Sequence, residues 1–169
     1  MVAAAEDSQS TMSSQDRAWR AAAAVPDPEV PCVTVEDLGI LRSVDIEDGV
    51  AVARVTPTYA GCPAVLAIEL AIEAALREAG FEARIERVLS PAWTTGWITE
   101  VGREKLRAFG IAPPVKDRDA NDFFTKIVVA CPRCSSTKTE RVSEFGSTPC
   151  KAHYRCLACA EPFDYFKCL

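Results

Sequence analysis

Two Cys-x-x-Cys pairs carry the strongest chemical signal in the sequence: Cys131 with Cys134, and Cys156 with Cys159. Twenty-one residues separate the inner cysteines. Each pair can turn two thiolates toward one point, so the two pairs supply the four soft ligands of a tetrahedral metal site. The predicted cofactor is one zinc ion. The same ligands also allow iron, an iron–sulfur cluster, or free and redox-active thiols.

Two further thiols lie close to these pairs. Cys150 and Cys168 are candidate additional ligands. A closed structural site needs only four ligands, however, so the sequence favours free thiols at both positions. The single histidine, His153, is expected on a strand of the module for the same reason. Cys32 carries no spacing signal.

Cys62 stands apart from the paired cysteines and directly precedes Pro63. Proline favours the first helical position, which makes Cys62 the predicted N-cap residue. The amides and dipole of a helix N-terminus favour a thiolate, the form that ligates iron or attacks an electrophile. Gly61 would let the preceding loop turn tightly. The alternative is a buried cysteine that acts as a small hydrophobic residue.

Two other groups are candidate binding positions. Asp27 and Glu29 flank a proline in an extended segment and could be metal or partner ligands. Exposed loop carboxylates without a ligand are the commoner outcome. A loop cluster further along the chain could line a partner surface or cover the open edge of a small sheet. This cluster comprises Trp93, Thr94, Thr95 and Trp97.

The surrounding sequence predicts the elements that position these residues. Residues 1–14 are polar and predicted to be disordered, and Ser14 is a predicted cap for a helix that ends near residue 25. A β-β-α-β order follows, which needs a crossover through its helix, so its second and third strands are expected to be parallel neighbours. The predicted strands, helix, strand and final helix span residues 40–47, 50–56, 63–79, 82–89 and 99–109.

The predicted fold is α+β or α/β, with two domains. A small mixed sheet packed with helices is expected over residues 15–110, and the proline-containing segment 111–124 is the predicted linker. A four-cysteine, zinc-ribbon-like module is expected over 125–169, with short strands at 137–142 and 163–166.

Composition narrows the class of protein. The chain has 169 residues, of which 49 % are hydrophobic, so a buried core is expected. Eight cysteines without a basic, apolar leader favour a reducing compartment, and a soluble cytoplasmic protein is predicted. The net charge is −5, with +2 on residues 131–169 and −7 on the rest. This acidic body makes nucleic acid an unlikely partner, and no apolar run is long enough to suggest a membrane span.

Longer stretches of the sequence resemble a known family. Three segments resemble the iron–sulfur assembly domain of SufT and MIP-type proteins: DPEVP at 27–31, VTPTYAGCPA at 55–64 and SPAWTT at 90–95. The cysteine-rich tail resembles one branch of that group, the PaaD family, which is the D component of the phenylacetyl-CoA epoxidase system of aerobic phenylacetate degradation. The resemblance covers roughly residues 27–168.

This resemblance implies an accessory protein and not an enzyme. Cys62 matches the family's reactive cysteine, and the implied role is to assist iron–sulfur or iron insertion into the epoxidase components, especially its iron–sulfur reductase. The sequence also lacks the Glu-x-x-His sets of a di-iron oxygenase. Gly96 stands where the resemblance leads us to expect an acidic residue. A non-catalytic structural or regulatory subunit of the oxygenase complex is the alternative, and a homodimer is left open.

Overall fold

The structure is a computed structural model that describes residues 12–59, 61–115 and 128–167. Within these ranges the chain forms three α-helices: α1 (Ser14–Ala23), α2 (Val65–Glu78) and α3 (Glu100–Ala108). Strands within the same ranges form a three-stranded and a four-stranded sheet. None of the helices in this described part is long and apolar enough to span a membrane.

The first sheet has the predicted order. Strands β1 (Leu41–Glu47) and β2 (Val50–Val55) form an antiparallel hairpin, and β2 pairs in parallel with β3 (Glu82–Arg87). The hairpin turn uses Asp48 and Gly49, which both have positive φ angles of 50° and 85°. Two positive φ angles match the twist of a two-residue hairpin turn, which explains the Asp-Gly sequence.

The helices cover this sheet. α1 begins at Ser14 and is capped by Ser13 through a capping box with Asp16, so the predicted cap was one residue late. α2 provides the crossover between β2 and β3 and buries one stripe at helical spacing. That stripe is the one the sequence predicts: Val65, Ile68, Ile72 and Leu76.

The second sheet lies in the C-terminal part of the chain, which we call the ribbon. Its order is β4-β7-β6-β5, with β4 parallel to β7 and the other pairs antiparallel. Strands β5 and β7 correspond to the two predicted ribbon strands, whereas β4 and β6 were not predicted. The bounds are β4 (Ile111–Ala112), β5 (Thr139–Ser143), β6 (Lys151–Cys156) and β7 (Pro162–Phe166).

The prediction of a linker over 111–124 was wrong at its first residues. Ile111 and Ala112 are buried and pair with Asp164 and Tyr165 of β7. Burial of apolar side chains at the sheet edge stabilises this pairing. The linker was predicted from its prolines and mixed charges, which carry no information on this long-range contact. The remainder of the predicted linker from residue 116 onward lies outside the described residues.

The buried Arg103 side chain holds the segment that follows β4. Its guanidinium donates hydrogen bonds to the carbonyl oxygens of Pro114, at 2.6 Å, and Thr95, at 2.7 Å. Arg103 is 5 % exposed. A buried guanidinium needs such acceptors, so these bonds fix the path of the chain as it leaves β4.

The two sheets share a core. Cys150 and Phe166 of the ribbon belong to a cluster of buried residues that also includes residues of α1, the segment 25–40, α2 and the first sheet. The Trp93 ring contacts the Phe166 ring edge-on, with 6.4 Å between the ring centroids. The Trp93 indole also donates a hydrogen bond of 2.8 Å to the carbonyl oxygen of Leu38. The ribbon therefore completes the core of the N-terminal domain, by which we mean the elements α1 to α3.

We predict that Phe166→Ala destabilises the whole protein. Phe166 is only 2 % exposed, and removal of a buried phenyl ring costs about 3–5 kcal/mol. Denaturant unfolding followed by tryptophan fluorescence would measure this loss, because Trp93 lies against the ring. Phe145→Ala is the matched control, since Phe145 is 64 % exposed. Equal stability of the two variants would show that the shared core is unimportant.

Candidate functional site

The four paired cysteines lie on two knuckles of closely similar backbone shape. In the first knuckle the Cys131 amide donates to the Ser136 carbonyl oxygen, and in the second the Cys156 amide donates to that of Glu161, both at 2.9 Å. The residue after each pair has a positive φ angle, 61° at Ser135 and 62° at Ala160. In each knuckle the backbone thus turns sharply after the second cysteine, which brings both thiols of the pair to one side.

The four sulfurs form one compact group. They all lie within 4.8 Å of one another. The sulfurs of Cys131 and Cys159 are 3.8 Å apart, and those of Cys134 and Cys156 are 3.6 Å apart. Four thiolates at the usual zinc–sulfur bond length around a tetrahedral ion lie about 3.8 Å from one another. This donor set therefore fits a tetrahedral metal ion, and the site is a metal-binding site.

Backbone amides also prepare the second knuckle for metal. Against the opposing effect of burial, the amide of Cys159, then that of Ala158 and the neighbouring thiols of Cys134 and Cys159 lower the pKa of Cys156 to about 7. Hydrogen bonds from amides to a metal-ligating sulfur are typical second-shell interactions, which stabilise the thiolate. An ion pair between Arg133 and Glu161 links the first knuckle to the residues that follow the second.

The neighbouring candidate ligands do not join this group. Cys150 is buried in the shared core, so its predicted alternative role as an extra ligand of the four-cysteine site was wrong. His153 lies on β6 as expected, with its Nδ1 atom 3.4 Å from Asp164 Oδ1. Cys168 lies outside the described residues.

Cys62 is not the N-cap of α2. The helix begins at Val65 with Ala64 as its N-cap, and a separate turn precedes it. In that turn the Cys62 amide donates to Tyr59 and the Cys62 carbonyl oxygen accepts from Val65. Proline at position 63 is therefore used in the turn and not at the first helical position.

The electrostatic prediction for Cys62 was also wrong. Burial raises the pKa of the Cys62 thiol, and the Glu29 and Asp27 carboxylates raise it further. The amide of Ala64 and, less strongly, the hydroxyl of Thr58 act in the opposite direction. Because the net shift is upward, the metal-free Cys62 is a protonated thiol at neutral pH.

The two acidic residues of the 27–31 segment have different environments. Asp27 is 7 % exposed, and its Oδ1 atom accepts hydrogen bonds of 2.8 Å from the amides of Glu29 and Val30. Burial raises the pKa of Asp27, while the two amides and then the Lys151 ammonium lower it. The prediction of Asp27 as a partner-surface residue was therefore wrong, since its carboxylate shapes the turn. Glu29 is half-buried, and its role stays a prediction.

The tryptophan loop is divided between core and surface. Trp93 is 5 % exposed and packs in the shared core, so its prediction as a partner surface was wrong. The indole of Trp97 is partly exposed and lies under the Arg42 guanidinium, 3.6 Å from the ring centroid. Thr94 is exposed and Thr95 partly buried, so a partner surface at these positions stays a prediction.

Sequence reasoning missed Lys151. This side chain is 5 % exposed, and its Nζ atom lies 3.9 Å from Asp164 Oδ2. Its charge lowers the pKa of Asp27, Cys32 and Cys150, in each case against a larger upward effect of burial. Lysine is rarely buried and β6 has no clear sequence signal, so the burial of Lys151 could not be predicted from the sequence.

Two protein-family models match separate parts of the chain, one containing the first sheet and the other most of the second. Residues 15–89 match a family described as iron–sulfur cluster assembly protein, and residues 116–167 match the PaaD zinc beta ribbon domain. The D subunit of the putative 1,2-phenylacetyl-CoA epoxidase of Escherichia coli K12 is 46 % identical over 152 residues. The match covers 89 % of this chain and 91 % of that relative.

Two solved structures match part of the chain. A domain of unknown function, DUF59, from Bacillus anthracis has a TM-score of 0.50 at 24 % identity, with 54 % of this chain and 90 % of that chain covered. This likeness supports the fold. A Mycobacterium tuberculosis protein associated with Fe–S complex assembly and repair has a TM-score of 0.36 at 36 % identity, with 62 % and 96 % covered.

We predict that Cys131→Ser removes most of the bound metal and loosens the ribbon. Loss of one thiolate from a four-ligand site weakens metal binding by at least about tenfold, and metal binding stabilises the fold. Metal content per chain after dialysis would measure the first effect, and hydrogen exchange the second. Cys32→Ser is the control, because Cys32 is outside the four-sulfur group. Full metal retention in Cys131→Ser would exclude Cys131 as a ligand.

We predict that alkylation of metal-free Cys62 is slow at neutral pH and accelerates steeply in alkaline solution. Only the thiolate reacts, and the pKa of Cys62 lies above the ordinary thiol value of about 8.5. The iodoacetamide reaction rate at Cys62, followed by peptide mass spectrometry from neutral to alkaline pH, tests this. If the rate instead reaches its plateau at a pH below the ordinary thiol pKa, the amides near Cys62 outweigh the effect of burial on its pKa.

Proposed function

The chain belongs to the PaaD family, and from this premise we propose that it is a non-enzymatic accessory protein of a phenylacetyl-CoA epoxidase system. Its proposed role is to assist iron–sulfur or iron insertion into the oxygenase or reductase components. Two observations support this role. The E. coli relative is named as the D subunit of that epoxidase, and residues 15–89 match an iron–sulfur cluster assembly family. Eight cysteines are most compatible with a reducing compartment, so we place the protein in the cytoplasm.

We propose zinc as the metal of the ribbon. Four thiolate ligands with no open position are typical of structural zinc sites, and the ribbon matches the PaaD zinc beta ribbon domain. Zinc would be held by the four sulfurs of the two knuckles and would supply folding free energy, without redox chemistry. Iron in the same site is the alternative, and metal analysis of protein purified without oxygen would separate the two.

The position of Cys62 carries the proposed transfer role. Its sulfur is half-buried, outside the four-sulfur group, and in reach of the Ala64 amide. Binding of Fe²⁺ by this thiol releases its proton to solvent, and departure of the metal to a client reverses the exchange. The high pKa of the free thiol keeps it protonated between these events, which limits unwanted alkylation and oxidation.

The surface beside Cys62 supports a protein client. A cavity of 250 Å³ lies next to the preceding loop, and Tyr59, Leu89 and Trp93 are among its lining residues. Leu66 and Leu70 lie one turn apart on α2 and are 62 % and 56 % exposed. Exposed apolar side chains in one place are typical of interaction sites. The proposed client is the iron–sulfur reductase of the epoxidase system.

A stable, non-catalytic subunit of the oxygenase complex is the second candidate function. The word subunit in the name of the E. coli relative favours it. Burial of Trp93 removes part of the surface that the sequence suggested for such a contact. Activity of fully matured oxygenase without this chain would exclude a required subunit, whereas co-purification at fixed stoichiometry would support it.

We predict that Cys62→Ser prevents maturation of the client cluster in cells. The serine side chain has nearly the same size but cannot form a thiolate, so the fold is kept and metal transfer is lost. Iron and sulfide in the purified client, with and without each variant, would be the measurement. Cys32→Ser is the matched control, since Cys32 is a half-buried thiol of the same domain. Normal client loading with Cys62→Ser would overturn the transfer role.

A further inference from the structure

The first sheet has an open edge at β3. Among the described residues, this strand pairs with β2 alone and ends the strand order of its sheet. The Val88 amide donates a hydrogen bond of 2.8 Å to the Val55 carbonyl oxygen of β2. Backbone groups of successive residues in a strand point alternately to its two sides, so those of Ala83, Ile85 and Arg87 point away from β2. Such a row of donors and acceptors can pair with a further strand.

Charged side chains lie along this edge on one face of the sheet. The charged groups of Arg84 and Glu86 are 3.2 Å apart, and their side chains are 53 % and 38 % exposed. Arg84 also pairs with Glu47 of β1 at 2.8 Å, and Glu86 pairs with Arg54 of β2 at 3.1 Å. Positive and negative groups thus alternate across all three strands, and one of each sign stays accessible at the open edge.

The opposite face of β3 is mainly apolar. Ala83 and Ile85 are partly buried and pack against the core of the N-terminal domain, as does Phe81 just before the strand. Leu89 follows the strand at the same spacing and is 59 % exposed. A strand that binds this edge must therefore present charges of both signs on one face and apolar side chains on the other.

A second copy of β3, running antiparallel, meets these requirements in one register. The backbone groups that point outward must lie opposite one another, which occurs when Ile85 faces Ile85 of the second copy. Ala83 then faces Arg87. Arg84 faces Glu86 twice, once on each side of the two-fold axis. These are non-hydrogen-bonded pairs, in which opposing side chains come closest together.

Charge disfavours the neighbouring registers. Sliding the strands by two residues in one direction sets Arg84 opposite Arg84, and sliding them in the other direction sets Glu86 opposite Glu86. Like charges directly opposite one another destabilise a sheet. Sliding by one residue removes the backbone hydrogen bonds, because outward-pointing groups then face inward-pointing ones. The register centred on Ile85 also sets the exposed Leu89 opposite Phe81.

We propose that the β3 edge binds a second copy of this chain, so that two copies form one six-stranded sheet around an antiparallel β3 pair. The interface is self-complementary, as a two-fold axis requires. The proposal does not depend on the proposed function. Because β2 and β3 are parallel, the loop that carries Cys62 leaves β2 at the end where β3 also ends. The two Cys62 loops of the dimer therefore leave from opposite ends of the β3 pair.

Two charge variants test this pairing. Arg84→Glu sets acidic groups opposite one another at both cross-strand pairs, and Glu86→Arg sets basic groups there. Each variant alone should weaken dimerisation by about tenfold or more. An equimolar mixture of the two should restore the dimer, because every cross-strand pair of the mixed dimer joins opposite charges. Analytical ultracentrifugation of the full-length, zinc-loaded protein from micromolar to millimolar concentration would measure these effects.

Arg77→Glu is the matched control. Arg77 is also an exposed arginine that pairs with a glutamate, Glu73, but it lies on α2. This variant changes the charge by the same amount and should dimerise as the unchanged protein does. The proposal is overturned if the unchanged protein is monomeric at every concentration, or if both β3 variants dimerise normally. Failure of the mixture to associate, with both variants folded by circular dichroism, would also overturn it.

Amide hydrogen exchange tests the same contact without a variant. The amides of Ala83, Ile85 and Arg87 point toward the proposed second copy, so they should exchange more slowly as protein concentration rises. The amides of Arg84 and Glu86 point toward β2 and should show little dependence on concentration. Exchange at Ala83 and Ile85 that stays constant while a dimer forms would place the dimer contact elsewhere and overturn the proposal.

Discussion

Burial of Cys150 and Phe166 in the core of the N-terminal domain is the contact on which the other features depend. Cys150 immediately precedes β6 and Phe166 ends β7, so their burial holds one end of this strand pair. The knuckle cysteines hold its other end, where Cys156 closes β6. The ribbon is thus fixed by apolar packing at one end and by metal ligation at the other, and it has little freedom to rotate as a separate module.

The same packing sets the electrostatics of the thiols. Burial is the largest influence on the pKa of Cys32, Cys62 and Cys150, and it raises all three. The buried Lys151 ammonium offsets part of this effect at Cys32 and Cys150. A thiol in this region is consequently a poor nucleophile by itself, and a metal ion is the agent that can convert it to thiolate.

Local patterns predicted much of the architecture. The knuckles depend on spacing within a few residues, and the buried stripe of α2 depends on helical periodicity, so both could be identified from sequence. Cys62 shows the limit of this reasoning: Pro63 favours a helix start, but a turn closed by the Tyr59 carbonyl oxygen displaces the start to Val65. The burial of Asp27 could not be predicted from the local sequence, because a loop carboxylate beside a proline is usually exposed.

The shared core also bears on synthesis of the protein. Synthesis of the N-terminal domain is complete about fifty residues before Phe166 is added, counted from β4. At roughly 5–20 residues per second this is an interval of about 3–10 s. During that interval the surface around Trp93 lacks its apolar neighbour Phe166, so we expect the nascent domain to expose a hydrophobic face there. Completion of the first domain is therefore a late event of translation, and it coincides with the arrival of the metal-binding strands.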